Sequence, residues 1–204
     1  MQNKIDALHD LIYVCRKLRE RGLVNATHGN ISIRVDDTMF ITPTGCDLET
    51  VQVEDLVGMD IPTQKIVTAG KPSKEWEMHY LGYKQDSETR GIVHAHCPKA
   101  VALGSRWGNT DNDTIVPCYT LAFALFTKRL PMVPYFKAGS HELAMAASQK
   151  LKHNSSVLLA NHGVITTAST VKNAYYRLEE IEENCAIALD IGISGNQALD
   201  PDNL

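Results

Sequence analysis

His94-Ala95-His96 is the segment of this sequence best suited to chemistry. It closes an apolar run, Gly91-Ile92-Val93, that reads as a buried strand, and residues two apart on a strand face the same side. Two imidazoles can then converge on one divalent cation from a rigid base. A catalytic zinc site commonly takes three protein ligands and leaves a position open, so a third ligand must come from elsewhere. His162 is the leading candidate: it follows the apolar run Val157-Leu158-Leu159-Ala160 and precedes Gly163, which allows close backbone approach or positive φ. His28, His79 and His141 are the alternatives, while His9 and His153 lie among polar neighbours and read as exposed. Taken alone, an HxH pair is more often two packed histidines than a metal site.

Glu75 is the candidate acid or base. It follows Pro72-Ser73 near the first turn of a predicted helix, with His79 one turn further on the same face. The plainer role for an early-turn glutamate is to complement the helix dipole. Glu77 points elsewhere and reads as exposed. Three short polar loops, Gly29-Asn30, Thr44-Gly45 and Ser73-Lys74, each pair backbone N–H groups with a side-chain donor. Ser73 is read at a helix N-terminus, where an anion is favoured. Singly these are turns or caps; arranged around the histidines they would hold a phosphate.

The elements that must position these groups follow from periodicity. Ile5, Leu8, Leu11, Ile12, Cys15 and Leu18 predict an amphipathic helix stopped by Gly22. Ile31–Val35 alternates with period two, Asp36-Asp37 reads as a turn, and Met39–Thr42 as the hairpin partner. Gly58–Ile61 predicts another strand, Ser73–Tyr83 a helix, Gly91–His96 a strand ended before Pro98, and Ala100–Ala102 the start of a short helix. Residues 107–113 read as an exposed loop. Tyr119–Phe126 is ambiguous between helix and strand, and Met132–Tyr135 reads as an edge strand interrupted by proline. His141–Leu151 predicts a helix, Val157–Ala160 a strand with Val164–Thr166 as its hairpin partner, and Thr170–Ile191 a long capped helix. Glu179, Glu180, Glu182 and Glu183 are assigned to the solvated face of that helix. Residues 192–204 are expected to form a loose tail on a single domain spanning 1–204.

Composition narrows the function. The 204 residues carry 20 Lys plus Arg against 24 Asp plus Glu, a net charge of -4, which argues against a nonspecific nucleic-acid binder. Five cysteines, an odd count with no CxxC pair, give neither a disulfide framework nor a cysteine zinc knuckle. The charged start Met1–Glu20 lacks a signal-type apolar core, and no run of apolar residues is long enough for a membrane span. A cytoplasmic protein with no membrane partner is the expectation. The order of elements suits helices flanking a mixed or antiparallel sheet; there is no GxGxxG and no Walker A to support a nucleotide fold.

Five ordered segments resemble the class II aldolase and adducin-head family: Gly29-Asn30-Ile31-Ser32-Ile33-Arg34, Ile41-Thr42-Pro43-Thr44-Gly45, Lys71-Pro72-Ser73-Lys74-Glu75, Val93-His94-Ala95-His96 and Leu158-Leu159-Ala160-Asn161-His162-Gly163. The resemblance implies a three-layer α/β/α fold, with a central, mostly antiparallel sheet between helices. It implies one Zn2+ per subunit on His94, His96 and His162, with Glu75 as catalytic acid–base. Gly29, Asn30, Thr44, Gly45 and Ser73 fall where the family holds a substrate phosphate. It further implies a homotetramer with sites near subunit boundaries. The adducin-like members lack the metal histidines, so an enzyme is favoured over a nonenzymatic assembly module. Where sugar-phosphate aldolases usually carry a second serine, this chain has Lys74, as in the branch containing 3-oxo-tetronate 4-phosphate decarboxylase. Lys74 is expected to help hold a phosphorylated sugar-acid substrate. Leu130–Gly139 and Leu178-Glu179-Glu180 point to the same branch, and the chain ends without the extension that supplies a tyrosine in fuculose-type aldolases. Tyr119 falls near another active-site tyrosine of those aldolases. The implied reaction is decarboxylation through an ion-stabilised enediolate, with aldol cleavage of a ketose 1-phosphate such as L-fuculose 1-phosphate as the alternative.

Overall fold

Strands β1 (Asn30–Val35) and β2 (Thr38–Ile41) pair antiparallel as the hairpin that the alternation predicts. The computed structural model describes residues 3–107, 110–192 and 198–203. β3 (Val57–Asp60) extends the hairpin outward from β2. β4 (Gly91–Ala95) pairs with the other edge of β1, and β7 (Gly163–Ala168) pairs with β4. β6 (Ser156–Leu159) is the hairpin partner of β7, and the two-residue β5 (Met132–Val133) adds in parallel at the end. The sheet thus runs β3-β2-β1-β4-β7-β6-β5, with β5–β6 its one parallel pair.

Both ends of this sheet are covered by local chain. On the outer edge of β3, Asp60 N–H donates to Lys65 O at 2.9 Å and Gly58 O accepts from Val67 N–H at 2.9 Å. On the outer edge of β5, Met132 exchanges both backbone hydrogen bonds with Asn112, at 2.8 and 3.1 Å.

Helices pack on both faces, which gives the expected three layers. One face carries α1 (Lys4–Glu20), α3 (Pro98–Trp107), α4 (Leu121–Phe126) and α6 (Val171–Ile191). Leu11, Leu18, Phe123, Leu178 and Ile181 bury there against Ile31, Val93 and Val164 of the sheet. The other face carries α2 (Trp76–Gln85) and α5 (His141–Leu151), whose Met78, Tyr83, Leu143 and Ala147 pack on Met39, Ile92, Val157 and Ile165. Each fully buried Leu or Ile contributes roughly 1.5–3 kcal/mol relative to exposure. Alternation along β1 and β4 sends Ile31 and Val93 into the first core and leaves Ser32, Ile92 and their same-face neighbours Asn30 and His94 towards α2.

Several local expectations are corrected. Tyr119–Phe126 resolves as a helix from Leu121, with Thr120 Oγ1 accepting from Phe123 N–H at its N-cap. α3 starts at Pro98 itself and runs ten residues, because proline suits a first helical turn. The glutamates of α6 are not a uniformly wet face. Glu182 accepts the N–H groups of Lys99 and Ala100 at the start of α3, and Glu179 pairs with Arg21 at 3.2 Å, which leaves Glu183 as the exposed one. Residues 108–109 of the expected loop, and 193–197 and 204 of the expected tail, lie outside the described residues. The described part of that tail docks: Leu199 N–H donates to Cys118 O at 2.7 Å and Asp202 pairs with Arg129.

Candidate metal centre

Helix α2 begins three residues after Ser73, not at it. Pro72 bridges Pro43, and Ser73 N–H donates to Thr42 O, so this stretch stays extended along the end of β2. The chain then turns, with Ser73 Oγ accepting from Glu75 N–H at 3.3 Å, and Glu75 takes the N-cap position of α2. Its carboxylate is thereby set over the ends of β1 and β4.

There it meets the histidines. One ligand atom from each of Glu75, His94, His96 and His162 lies within 4.8 Å of the others. The rings of His94, His96 and His162 stand edge to face, with centroids 4.8 to 5.1 Å apart. His94 lies on β4, His96 one residue past its end, and His162 in the β6–β7 turn. That turn comes close because residue 163 is glycine: a Cβ there would lie 2.4 Å from Ala95 O and 3.0 Å from the His94 ring. The left-handed residue of the turn is Asn161, φ 56°. Gly29 does both, with φ 81° and a Cβ position only 2.9 Å from His94 O.

The donor set fits a cation. His94 Nδ1–H donates to Val164 O at 3.0 Å, which leaves Nε2 with its lone pair facing inward. Glu75 Oε2 is 3.4 Å from His94 Nε2 and Oε1 is 3.2 Å from His162 Nε2, without hydrogen-bond alignment. Among the described residues, seven buried side-chain polar atoms lack a hydrogen-bond partner. Four of them are here: Glu75 Oε1, His94 Nε2 and both ring nitrogens of His162. An orphaned buried polar atom costs about 1–3 kcal/mol. Four in one place mark a site that a positive ion would satisfy. Burial also favours the neutral form of His94 and His96, as ligands require. It drives His94 well below its ordinary value and, with His162 and His28 beside it, lowers His96 to about 4. Burial raises Glu75, while positive charge at the site of the His94 and His162 rings and the hydrogen bond from the Asn30 amide lower it.

A cleft of about 480 Å3 is lined by Glu75, His96 and His162, with His94 buried beside them. Thr44, Gly45, Ser73 and Lys74 line it, as do Gly29 and Asn30, so the sequence-predicted loops and histidines do come together. The Asn30 side chain, however, is committed to Glu75 and His79. Backbone N–H groups of Thr44 and Ser73 are taken by Lys71 O and Thr42 O. The side-chain groups of these loops suited to an anion are the hydroxyls of Thr44 and Ser73 and the ammonium of Lys74, with Gly29 and Gly45 presenting backbone at the same cleft.

Tyr119 is not brought to the cluster within this chain. Its hydroxyl donates to Gly192 O at 3.1 Å and its N–H to buried Asn184, on the α6 side of the molecule. The other histidines are elsewhere too. His141 pairs with Glu77 at 2.7 Å at the surface, and His28 stacks on the outer side of His96 at 4.9 Å. Tyr135 and His28 both line the cleft; His28 is an alternative ligand by sequence, and no spacing rule singles out Tyr135.

His79 is fully buried behind Asn30, and burial lowers its imidazole to about 4 while Glu75 pulls the other way. An unfolded histidine titrates near 6.5. Between these values the unfolded chain binds the extra proton. The stability from neutral His79 is complete above about pH 6.5 and is lost as pH falls towards 4, about 3 kcal/mol in all. Urea midpoints of the metal-free protein at about pH 7 and about pH 4.5 check this. The drop should be smaller in His79→Gln; equal drops would remove His79 as its source.

Comparison with known proteins gives a consistent set. The model of the class II aldolase and adducin N-terminal domain matches residues 9–189. The chain is 33% identical over 178 residues to 3-oxo-tetronate 4-phosphate decarboxylase of Haemophilus influenzae, covering 87% of this chain and 84% of that one. It is 31% identical over 178 residues to L-fuculose phosphate aldolase of Methanocaldococcus jannaschii, covering 87% and 93%. The crystal structure of YgbL from Klebsiella pneumoniae superposes with a TM-score of 0.92 at 25% identity over the full length of both chains.

Proposed function

Because the chain belongs to the class II aldolase and adducin N-terminal domain family, we propose that it is a zinc-dependent decarboxylase of 3-oxo-tetronate 4-phosphate, releasing carbon dioxide and dihydroxyacetone phosphate. That it is a metal-dependent lyase follows from the family and from its decarboxylase and aldolase relatives. The observation that carries the finer reading is one cleft lined by Glu75, His96 and His162, with His94 of the same cluster buried beside them and Thr44, Ser73 and Lys74 around it.

His94, His96 and His162 are the proposed zinc ligands, with Glu75 beside them. Three neutral imidazoles suit zinc and leave its full positive charge in place. When bound, the ion supplies electrophilic polarisation of the substrate carbonyl. The protein does the rest. Thr44 and Ser73 hydroxyls, with Lys74, hold the phosphate and set the distance from phosphate to reacting carbon. Breaking the carboxyl bond leaves an electron pair on the adjacent carbon, and that carbon must gain a proton. Glu75 stands ionised, so it takes a proton from the neighbouring hydroxyl or from water and delivers it there. A carboxylate gripped firmly by Lys74 would resist departure, so Lys74 serves the phosphate or steers loosely.

The second reading is aldol cleavage of a ketose 1-phosphate, favoured by the aldolase relatives. Aldol cleavage needs a group to take a hydroxyl proton from the departing half. Tyr119, bonded to Gly192 O, could do so only if supplied across a subunit boundary, as the homotetramer implied by the family resemblance would allow. A paired assay on the zinc-loaded protein decides. Carbon dioxide from 3-oxo-tetronate 4-phosphate, with no aldehyde from L-fuculose 1-phosphate, is the expected result; the reverse pattern would establish the aldolase.

A further inference from the structure

Behind Glu75, four polar side chains continue from its carboxylate as an unbroken buried chain. Asn30 Nδ2 donates to Glu75 Oε2 at 2.9 Å. That turns Asn30 Oδ1 towards His79 Nε2 at 2.6 Å, so Nε2 must carry the imidazole proton. His79 Nδ1 is then bare and accepts from Ser32 O–H at 2.7 Å. Ser32 has spent its only proton, so its oxygen accepts from Tyr83 O–H at 2.8 Å. Each donor is fixed by the one before it, and the sequence starts from a carboxylate, which can only accept. Ser32 and His79 are 0% exposed, Tyr83 2%, and Asn30 and Glu75 5%, so water does not compete for these bonds.

The placement follows both backbone periods. Asn30 and Ser32 are two apart on β1, and Glu75, His79 and Tyr83 are four apart along α2 and its N-cap. We propose that His79, backed by Ser32 and Tyr83, is the positioning residue for Glu75, acting through the Asn30 amide; this rests on the reading of Glu75 as acid–base. The amide has two faces that differ only in which atom is oxygen. Turned over, it would set oxygen against a carboxylate and N–H against the N–H of His79. The carboxylate disfavours that orientation on one side, and the Nε2–H tautomer it selects disfavours it on the other. With Oε2 held by Asn30, Oε1 is left without a hydrogen bond and directed at His162, 3.2 Å away. Simple packing between β1 and α2 needs none of this, since apolar side chains would fill the space without burying three further polar groups.

Two experiments test the proposal. In the wild-type protein without metal, long-range 1H–15N spectra at neutral pH should show His79 as the Nε2–H tautomer; the Nδ1–H form would overturn it. Zinc-loaded variants then test the role. His79→Phe keeps a planar ring, somewhat larger, and removes both bonds, and should lower kcat about 10–100-fold with zinc content and KM nearly unchanged. His79→Gln, which restores a donor and an acceptor, should recover most of that loss. On an Asn30→Ala background, His79→Phe should cost less than about three-fold more, because the two act in series. Independent, multiplying losses, or a glutamine variant no better than phenylalanine, would show that His79 only packs. If the wild-type protein turns over neither substrate, the functional reading fails. The tautomer, and the Asn30 and Glu75 side-chain positions in a His79→Phe crystal structure, still judge the relay: a turned amide or a displaced carboxylate upholds it, and unchanged positions overturn it.

Discussion

Replacing His94 with alanine should lower zinc affinity by on the order of 10^3-fold or more and remove turnover with it. Groups that merely support a metal ligand are typically worth about 10–100-fold, and His94 is placed as a ligand itself. Its ring has no other use for Nε2: Val164 O takes the Nδ1 proton and Nε2 is buried without a hydrogen bond. Thermal unfolding gives a readout separate from activity. An ion that binds the folded chain at 100 times its Kd adds about 2.7 kcal/mol to stability. Zinc should therefore raise the wild-type Tm and leave the His94→Ala Tm where it was. A His94→Ala protein that still takes up stoichiometric zinc, measured after dialysis against a competing chelator, would show that the cluster is not the metal site.

Glu75→Gln is the second large effect. Glutamine keeps the shape and still offers Asn30 Nδ2 an acceptor, but it cannot take up a proton. Three imidazoles remain, so zinc content should hold. kcat should fall by about 10^2–10^4-fold, the usual worth of a positioned acid–base, with KM little changed. Loss of zinc together with activity would make Glu75 chiefly a ligand. Full activity would leave it no part in proton transfer.

What could be read in advance depended on whether the governing physics was local. Periodicity located the hairpin of β1 and β2, strand β4, the β6–β7 hairpin and helices α1, α5 and α6, because apolar spacing is a local record of which side is buried. It missed the start of α2, since what keeps Ser73 extended is its pairing with Thr42, thirty-one positions earlier. It left Tyr119–Phe126 undecided for a related reason: a short apolar run is compatible with helix or strand until its neighbours are known. Among site residues, His94 and His96 declared themselves by spacing, and His162 by its place at the end of an apolar strand. Asn30 was legible as part of a glycine-bearing loop, but its actual partners, Glu75 and His79, come from another element. Glu182 was assigned to solvent because it sits in a run of acids, whereas the backbone it caps lies eighty-two and more positions away.

The covered ends of the sheet bear on how copies of this chain can meet. An open strand edge recruits other strands, and that is the usual route to filaments and swapped sheets. Here the outward-pointing backbone groups of β3 and β5 are already occupied by Lys65, Val67 and Asn112. Ribbon-to-ribbon growth is blocked at either lip, so any closed ring of subunits must be glued through helix flanks and loops. Its cohesion would come from side chains and would vary with them, while the catalytic floor stayed fixed by the backbone of each copy.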